Sequence, residues 1–139
     1  PITLVKLHAR KTGTTRAQFQ HWWLHEHAAV VMQHTGGLIR RYVQLHSLGP
    51  TEPGEPFYHP DASKFDGVSL LNFASLNDLE DFLRNEEYLA ILRDEEQMID
   101  ASAGEWWTTI SMTIVNRMTH EKTTAIDDRP QPFSGLESL

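Results

Sequence analysis

The sequence has no cysteine among its 139 residues. Disulfides, thiol nucleophiles and sulfur-ligated metals are therefore excluded. It also lacks any long hydrophobic run: the apolar stretches span only a few residues, whereas a membrane-crossing helix needs about 20. Positive charge is scarce. Twelve Lys and Arg stand against 19 Asp and Glu, for a net charge of −7, and no basic block offsets the imbalance, so a nucleic-acid-binding surface is not expected. The opening residues are too short and too polar for a secretory signal. These absences together give the expectation of a cytoplasmic protein. What is present is ordinary globular material, 40% hydrophobic and 22% charged, enough for one domain with a real core.

The pattern along the chain predicts six elements. Residues 2–9, "ITLVKLHA", alternate and carry β-branched side chains, which predicts a strand. Thr14 or Thr15 can cap the helix that follows, with Gln18 placed as the capping-box partner. That helix is expected to run to about His34 and to stop at the Gly36–Gly37 pair, where left-handed backbone closes a helix at little cost. Residues 38–48 read as a second strand. The Pro- and Gly-rich stretch 49–65 has no element of its own and is expected to be a functional flap, in which Tyr58 and His59 could close over a ligand. Residues 66–75 read as a third strand. A second helix follows in two pieces, broken near Asn85, with Leu76, Leu79, Phe82, Leu83, Leu89, Ile91, Leu92, Met98 and Ile99 as its apolar stripe. Residues 106–115 give a fourth strand.

The order β-α-β-β-α-β predicts an α+β, ferredoxin-like domain over residues 1–117, with a four-stranded antiparallel sheet and both helices on one face. Residues 118–139 are left as a C-terminal arm or tail. Apolar residues also alternate onto the other sheet face, and an uncovered apolar face implies association, most simply a homodimer. Pro1 raises the question of an N-terminal proline acting as a base, as in tautomerases whose chains begin with proline; an ordinary processed start is the plainer expectation.

The chemistry concentrates in residues 19–27, "FQHWWLHEH". Helical spacing groups Phe19, Trp22, Trp23, Glu26, His27, Val30 and His34 on one face, with Gln18, His21, His25 and Met32 opposite. His21 and His25 have the four-residue spacing of paired metal ligands, but a catalytic zinc needs a third protein ligand and the H-E-x-x-H pattern is absent. No metal is expected. His27 points inward with the aromatic residues. Glu26 is its candidate partner, Trp22 and Trp23 are the walls for a flat ligand, and the strand parity of His8, His46, Lys6 and Gln44 lets polar groups converge beneath the helix. A desolvated imidazole in such a place can give or take a proton near neutral pH.

The stretch "TTRAQFQHWWLHEHAAVV" resembles the signature helix of the EthD-like proteins of the dimeric α+β barrel superfamily, with Phe19, Trp22 and His27–Ala28 at its aromatic, W-or-Y and His-small positions. The stretch "FDGVSLLNFASLNDLEDFL", with "YLAILRDEEQMID" beyond it, is similar to the second half of that family; Asp66–Gly67 opens a strand and Asp94–Glu95 precede Asp100. The likeness covers roughly residues 2–117. It implies a homodimer with two sheets forming a barrel and a pocket in each subunit between sheet and helices. Fungal members of similar length act in aromatic polyketide pathways, notably as decarboxylases of atrochrysone carboxylic acid. Other relatives are cofactor-free monooxygenases, polyketide cyclases and a lactone isomerase.

The resemblance implies a catalytic role for His27. The expected activity is then a cofactor-independent lyase that decarboxylates an aromatic polyketide acid, the substrate's own ketone accepting the electrons. His27 is the expected acid–base group, with His8 or His46 and Tyr42 polarising the carbonyl, and Lys6 or Arg40 binding the carboxylate. Trp22, Trp23 and Tyr58 complete the expected substrate contacts. No cofactor is expected. The rival expectations are an anthrone-type monooxygenase with Trp22 and Trp107 as aromatic walls, a cyclase, and a binding barrel without chemistry.

Overall fold

A computed structural model describes residues 1–35, 37–48, 54 and 64–118. Its elements are β1 (Ile2–His8), α1 (Arg16–Trp22), a π-helical turn (Trp23–His27), α2 (Ala28–Gln33), β2 (Ile39–His46), β3 (Gly67–Phe73), α3 (Leu76–Arg84), α4 (Glu86–Glu95) and β4 (Glu105–Ile110). The strands form one sheet in the order β2-β3-β1-β4, with every neighbouring pair antiparallel. This is the ferredoxin-like α+β arrangement expected from the sequence. No helix among the described residues is long and apolar enough to cross a membrane.

Local signals explain where the helices begin. Thr15 caps α1 through a full capping box: its hydroxyl accepts from the Gln18 amide at 3.1 Å, and the Gln18 side chain accepts from the Thr15 amide at 2.9 Å. Ser75 caps α3 by accepting from the Asp78 amide. Asn85 ends α3 in extended backbone and caps α4, the break read from the sequence. Gly37 has φ of 75°, the left-handed backbone expected after the first helix; Gly36 lies outside the described residues, as does all of the loop read at 49–65 except residues 54, 64 and 65. β4 is shorter than predicted, because its pairing to β1 stops at Ile2↔Ile110.

Two apolar clusters pack between sheet and helices. Leu4, Leu71 and Phe73 of the sheet meet Val31, Leu79, Phe82, Tyr88 and Ile91; Phe19, Trp22, Trp23 and Ile99 form the second. Burial of each of these large side chains contributes about 2 kcal/mol. The predicted stripe of the second helix is corrected here: Leu76, Leu89 and Leu92 are exposed, while Tyr88 and Glu95 are buried. The restart at Asn85 sets a new helical phase, so Tyr88, Ile91 and Glu95, three and four residues apart, face the sheet.

A similar phase change shapes the first helix. The π-helical turn fits one extra residue into the turn over Trp23–His27. Beyond it the buried positions are His27 and Val31, while Glu26 is exposed and Val30 only half-buried. The predicted face therefore holds for Phe19, Trp22, Trp23 and His27 and is corrected at Glu26 and Val30.

Candidate acid–base site

His27 lies on the π turn, 3% exposed. Its Nδ1–H donates to Asp94 Oδ2 of α4 at 2.6 Å, leaving Nε2 as the basic atom of the neutral ring. The Trp22 indole stacks on the same imidazole, with centroids 4.8 Å apart and planes inclined by 27°. Burial lowers the His27 pKa, and the Asp94 hydrogen bond followed by the Glu95 and Asp94 charges opposes that shift. The partner expected from the sequence was Glu26; the π turn rotates Glu26 to the surface, and Asp94 takes the position.

β1 brings Lys6 and His8 beneath this ring. Lys6 is 8% exposed and donates to both oxygens of Glu95, at 2.5 and 2.9 Å, and to the Tyr88 hydroxyl at 3.4 Å. Burial opposes the charge of Lys6, but the charges and hydrogen bonds of Glu95 and Tyr88 together outweigh it and raise the pKa. His8 bonds Ser69 Oγ at 2.8 Å through Nε2, and burial, then the charges of Lys6 and His27, lowers it to about 3. His8 is thus neutral at any physiological pH. Burial raises the pKa of both Tyr42 and Tyr88, so both remain phenols able to donate a hydrogen bond.

These groups surround two spaces. An inner chamber, with about 10 Å³ of room, is lined by His27, Lys6, His8, Tyr42, Tyr88 and Glu95 together with apolar residues from the sheet and from α2, α3 and α4. That is the size of a single water. An outer cleft of about 300 Å³ is bounded by Leu7, Leu92, Ile99, Glu96, Glu105 and Trp106, at the lower end of ordinary ligand pockets. Lys6, His8, Tyr88 and Glu95 border both spaces and form the polar wall between them.

The EthD domain matches residues 11–102, more than half of the chain. The chain belongs to the EthD family. Solved structures similar to this EthD protein include an ethyl tert-butyl ether d (EthD) family protein from Bacillus halodurans, 18% identical with a TM-score of 0.58, aligned over 80% of this chain and 98% of that one. A hydroxynitrile lyase from Passiflora edulis is 14% identical with a TM-score of 0.56, over 82% and 96%. A dimeric ferredoxin-like protein of unknown function from Thermobifida fusca is 11% identical with a TM-score of 0.52, over 78% and 88%. No curated protein matches the chain significantly. At these identities the likeness establishes the fold alone.

Of the site residues read from the sequence, this EthD protein brings together His27, His8, Lys6 and Tyr42 around the chamber. It does not bring in His46, which lies against Trp23 at 4.6 Å and donates from Nε2 to Gln44 Oε1 at 2.9 Å, while the Gln44 amide nitrogen donates to the Trp23 carbonyl and to Tyr42. Burial, then the nearby His25, lowers the His46 pKa to about 4. Trp23 is not a ligand wall: it is fully buried between Phe19 and the sheet, beneath Gly67. Trp22 packs on His27 and borders neither the chamber nor the outer cleft. Arg40 is exposed and borders neither space, because the β2–β3 register shifts between Ile39 and Arg41. Tyr58 lies outside the described residues. Lys6 is in place, but its donors are committed to Glu95 and Tyr88. His21 and His25 lie side by side on the exposed face, their rings 4.8 Å apart and tilted by 50°, and no group of three or more candidate metal ligands occurs among the described residues.

Sequence reasoning missed Asp94, Glu95 and Tyr88 as site residues. The available signal was the 88-91-95 spacing, which places an acid on the buried face of a helix. The Leu89–Leu92 stripe masked it.

Proposed function

We propose that this EthD protein is a cofactor-independent lyase that decarboxylates an aromatic polyketide acid by acid–base catalysis at His27. The observation that carries the reading is the buried imidazole held by Asp94 at 2.6 Å behind a polar wall that an open cleft reaches. Loss of carbon dioxide from a β-keto acid leaves an enol or enolate, so catalysis consists of placing protons on oxygen and carbon. The substrate's body occupies the outer cleft against Trp106 and Leu92. Tyr88 stands at the wall as a phenol for the ketone oxygen. His27 supplies or removes the proton through the inner chamber, which has room for one relaying water.

The test is incubation of the protein with an aromatic β-keto acid, following carbon dioxide release and oxygen uptake together. The reading predicts stoichiometric carbon dioxide without oxygen consumption; oxygen uptake instead would identify a monooxygenase. One observation favours a second reading. The inner chamber is too small for a ring beside His27, which suits a barrel that binds small molecules without transforming them, and binding without product in the same assay would select it.

The assembly belongs to the same proposal. The sheet face away from the helices carries a row of Val43, Leu70, Val5 and Trp107 in register across all four strands, with Trp107 44% exposed and neighbouring Leu45 48% exposed. A second copy packed sheet to sheet buries this face, in keeping with the dimeric Thermobifida protein.

A further inference from the structure

We infer that the outer cleft takes its substrate in an uncharged form, as a neutral ketone or an undissociated acid, because among the described residues no cation on its walls is free to meet an anion. The inference rests on the proposed role of the cleft as the substrate site and adds the ionic state of what it binds.

Lys6 is the only Lys or Arg among the described residues that bound the cleft. An ammonium has three N–H donors, and the partners of Lys6 number three: Glu95 Oε1 at 2.5 Å, Glu95 Oε2 at 2.9 Å and the Tyr88 hydroxyl at 3.4 Å. The other charged groups at the cleft are Glu96, at the end of α4, and Glu105 of β4. One committed cation therefore faces three carboxylates. His8 of β1 adds no charge, and His27 with Asp94 lies behind the wall. Glu96 and Glu105 are exposed, so salt screens their fields. The decisive feature is the buried pair, since an anion in the cleft must go without a counter-charge or strip Glu95 from Lys6, and either is costly.

This constraint fits the chemistry of β-keto acids. In the undissociated acid the carboxyl O–H bonds the acid's own ketone. As the C–C bond breaks, its electron pair forms the enol double bond, the carboxyl proton passes to the ketone oxygen, and carbon dioxide departs. The enol then takes a proton at carbon and gives up its O–H proton, a transfer suited to a histidine. A cleft that selects the neutral acid selects the form that reacts in this way, and the Lys6–Glu95 pair is a specificity device rather than a carboxylate clamp.

The test is isothermal titration of the full chain with 2-naphthamide and 2-naphthoic acid between pH 7.5 and 6, in buffers of different ionisation enthalpy. The amide is expected to bind at least about tenfold more tightly than the acid at pH 7. The acid should gain about tenfold in affinity per pH unit lost, with close to one proton taken up per molecule bound and none with the amide. Trp106→Ala should weaken both. Glu95→Gln frees donors on Lys6 and should raise acid binding at pH 7 to at least that of the amide, without proton uptake. Should that variant fail to fold, the double variant Lys6→Met, Glu95→Met removes the pair and should keep the amide preference. Acid binding equal to the amide's without proton uptake in the wild type would overturn the inference, as would binding of neither probe or indifference of both to Trp106→Ala. Since only binding is read, a neutral preference without carbon dioxide release would sink the decarboxylase reading and leave this inference standing.

Discussion

His8 and His46 show how burial turns a titratable side chain into a condition on stability. Both are neutral in the fold, with pKa values lowered to about 3 and about 4, against about 6.5 in an unfolded chain. Below pH 6.5 the unfolded state binds protons that the folded state refuses, so stability is full above that pH and is lost as pH falls toward the folded values. Two such groups remove on the order of 3 kcal/mol between pH 7 and pH 5. Urea unfolding at the two pH values should show this loss, and His46→Gln should recover roughly half of it. A pH-independent midpoint would mean that these rings are not held neutral. The same scale explains why Asp94 escaped sequence reasoning while His27 did not: an imidazole beside two tryptophans announces itself, but a carboxylate in an acidic helix becomes a partner only when another element delivers the ring.

At the scale of elements, most of the fold was legible. Alternation marked the four strands, Thr15–Gln18 and Asn85 marked helix boundaries, and the element order led to the sheet topology. The phase of each helix was not legible, because one extra residue in the Trp23–His27 turn and one cap at Asn85 each rotate everything after them. That rotation exchanged Glu26 for Asp94, and Leu89 and Leu92 for Tyr88 and Glu95. The π turn also seats Trp23 under β3. A Cβ at Gly67 would stand 2.5 Å from Trp23 Cη2 and 3.1 Å from the Leu45 carbonyl, and Trp23 is fully buried, so neither wall can yield. Gly67→Ala should cost about 1–3 kcal/mol by overpacking, read as a lowered unfolding midpoint. An unchanged midpoint would show that the turn and the strand are not packed as described. Beside that seat Asp66, 2% exposed, accepts from the Arg10 amide at 2.8 Å, from Arg10 Nη1 at 2.5 Å and from Arg16 Nε at 2.9 Å. It ties the end of β1 and the start of α1 to the entry of β3, and so holds the histidine-bearing helix over the sheet.

At the scale of the whole molecule, helices cover one sheet face, and the proposed homodimer would cover the apolar row across the other. Light scattering should give twice the chain mass for the wild type, and Leu45→Lys with Trp107→Glu should yield monomers; a wild type that is monomeric at micromolar concentration would contradict the homodimer. On the proposed function, catalysis reduces to one ring, its carboxylate partner and a wall of four polar side chains. The measurement that bears on this most directly is the kcat for carbon dioxide release by His27→Gln, made on protein shown to be folded. The account predicts a fall of at least about 100-fold, with Asp94→Asn falling between that variant and the wild type. Full turnover by His27→Gln would contradict it.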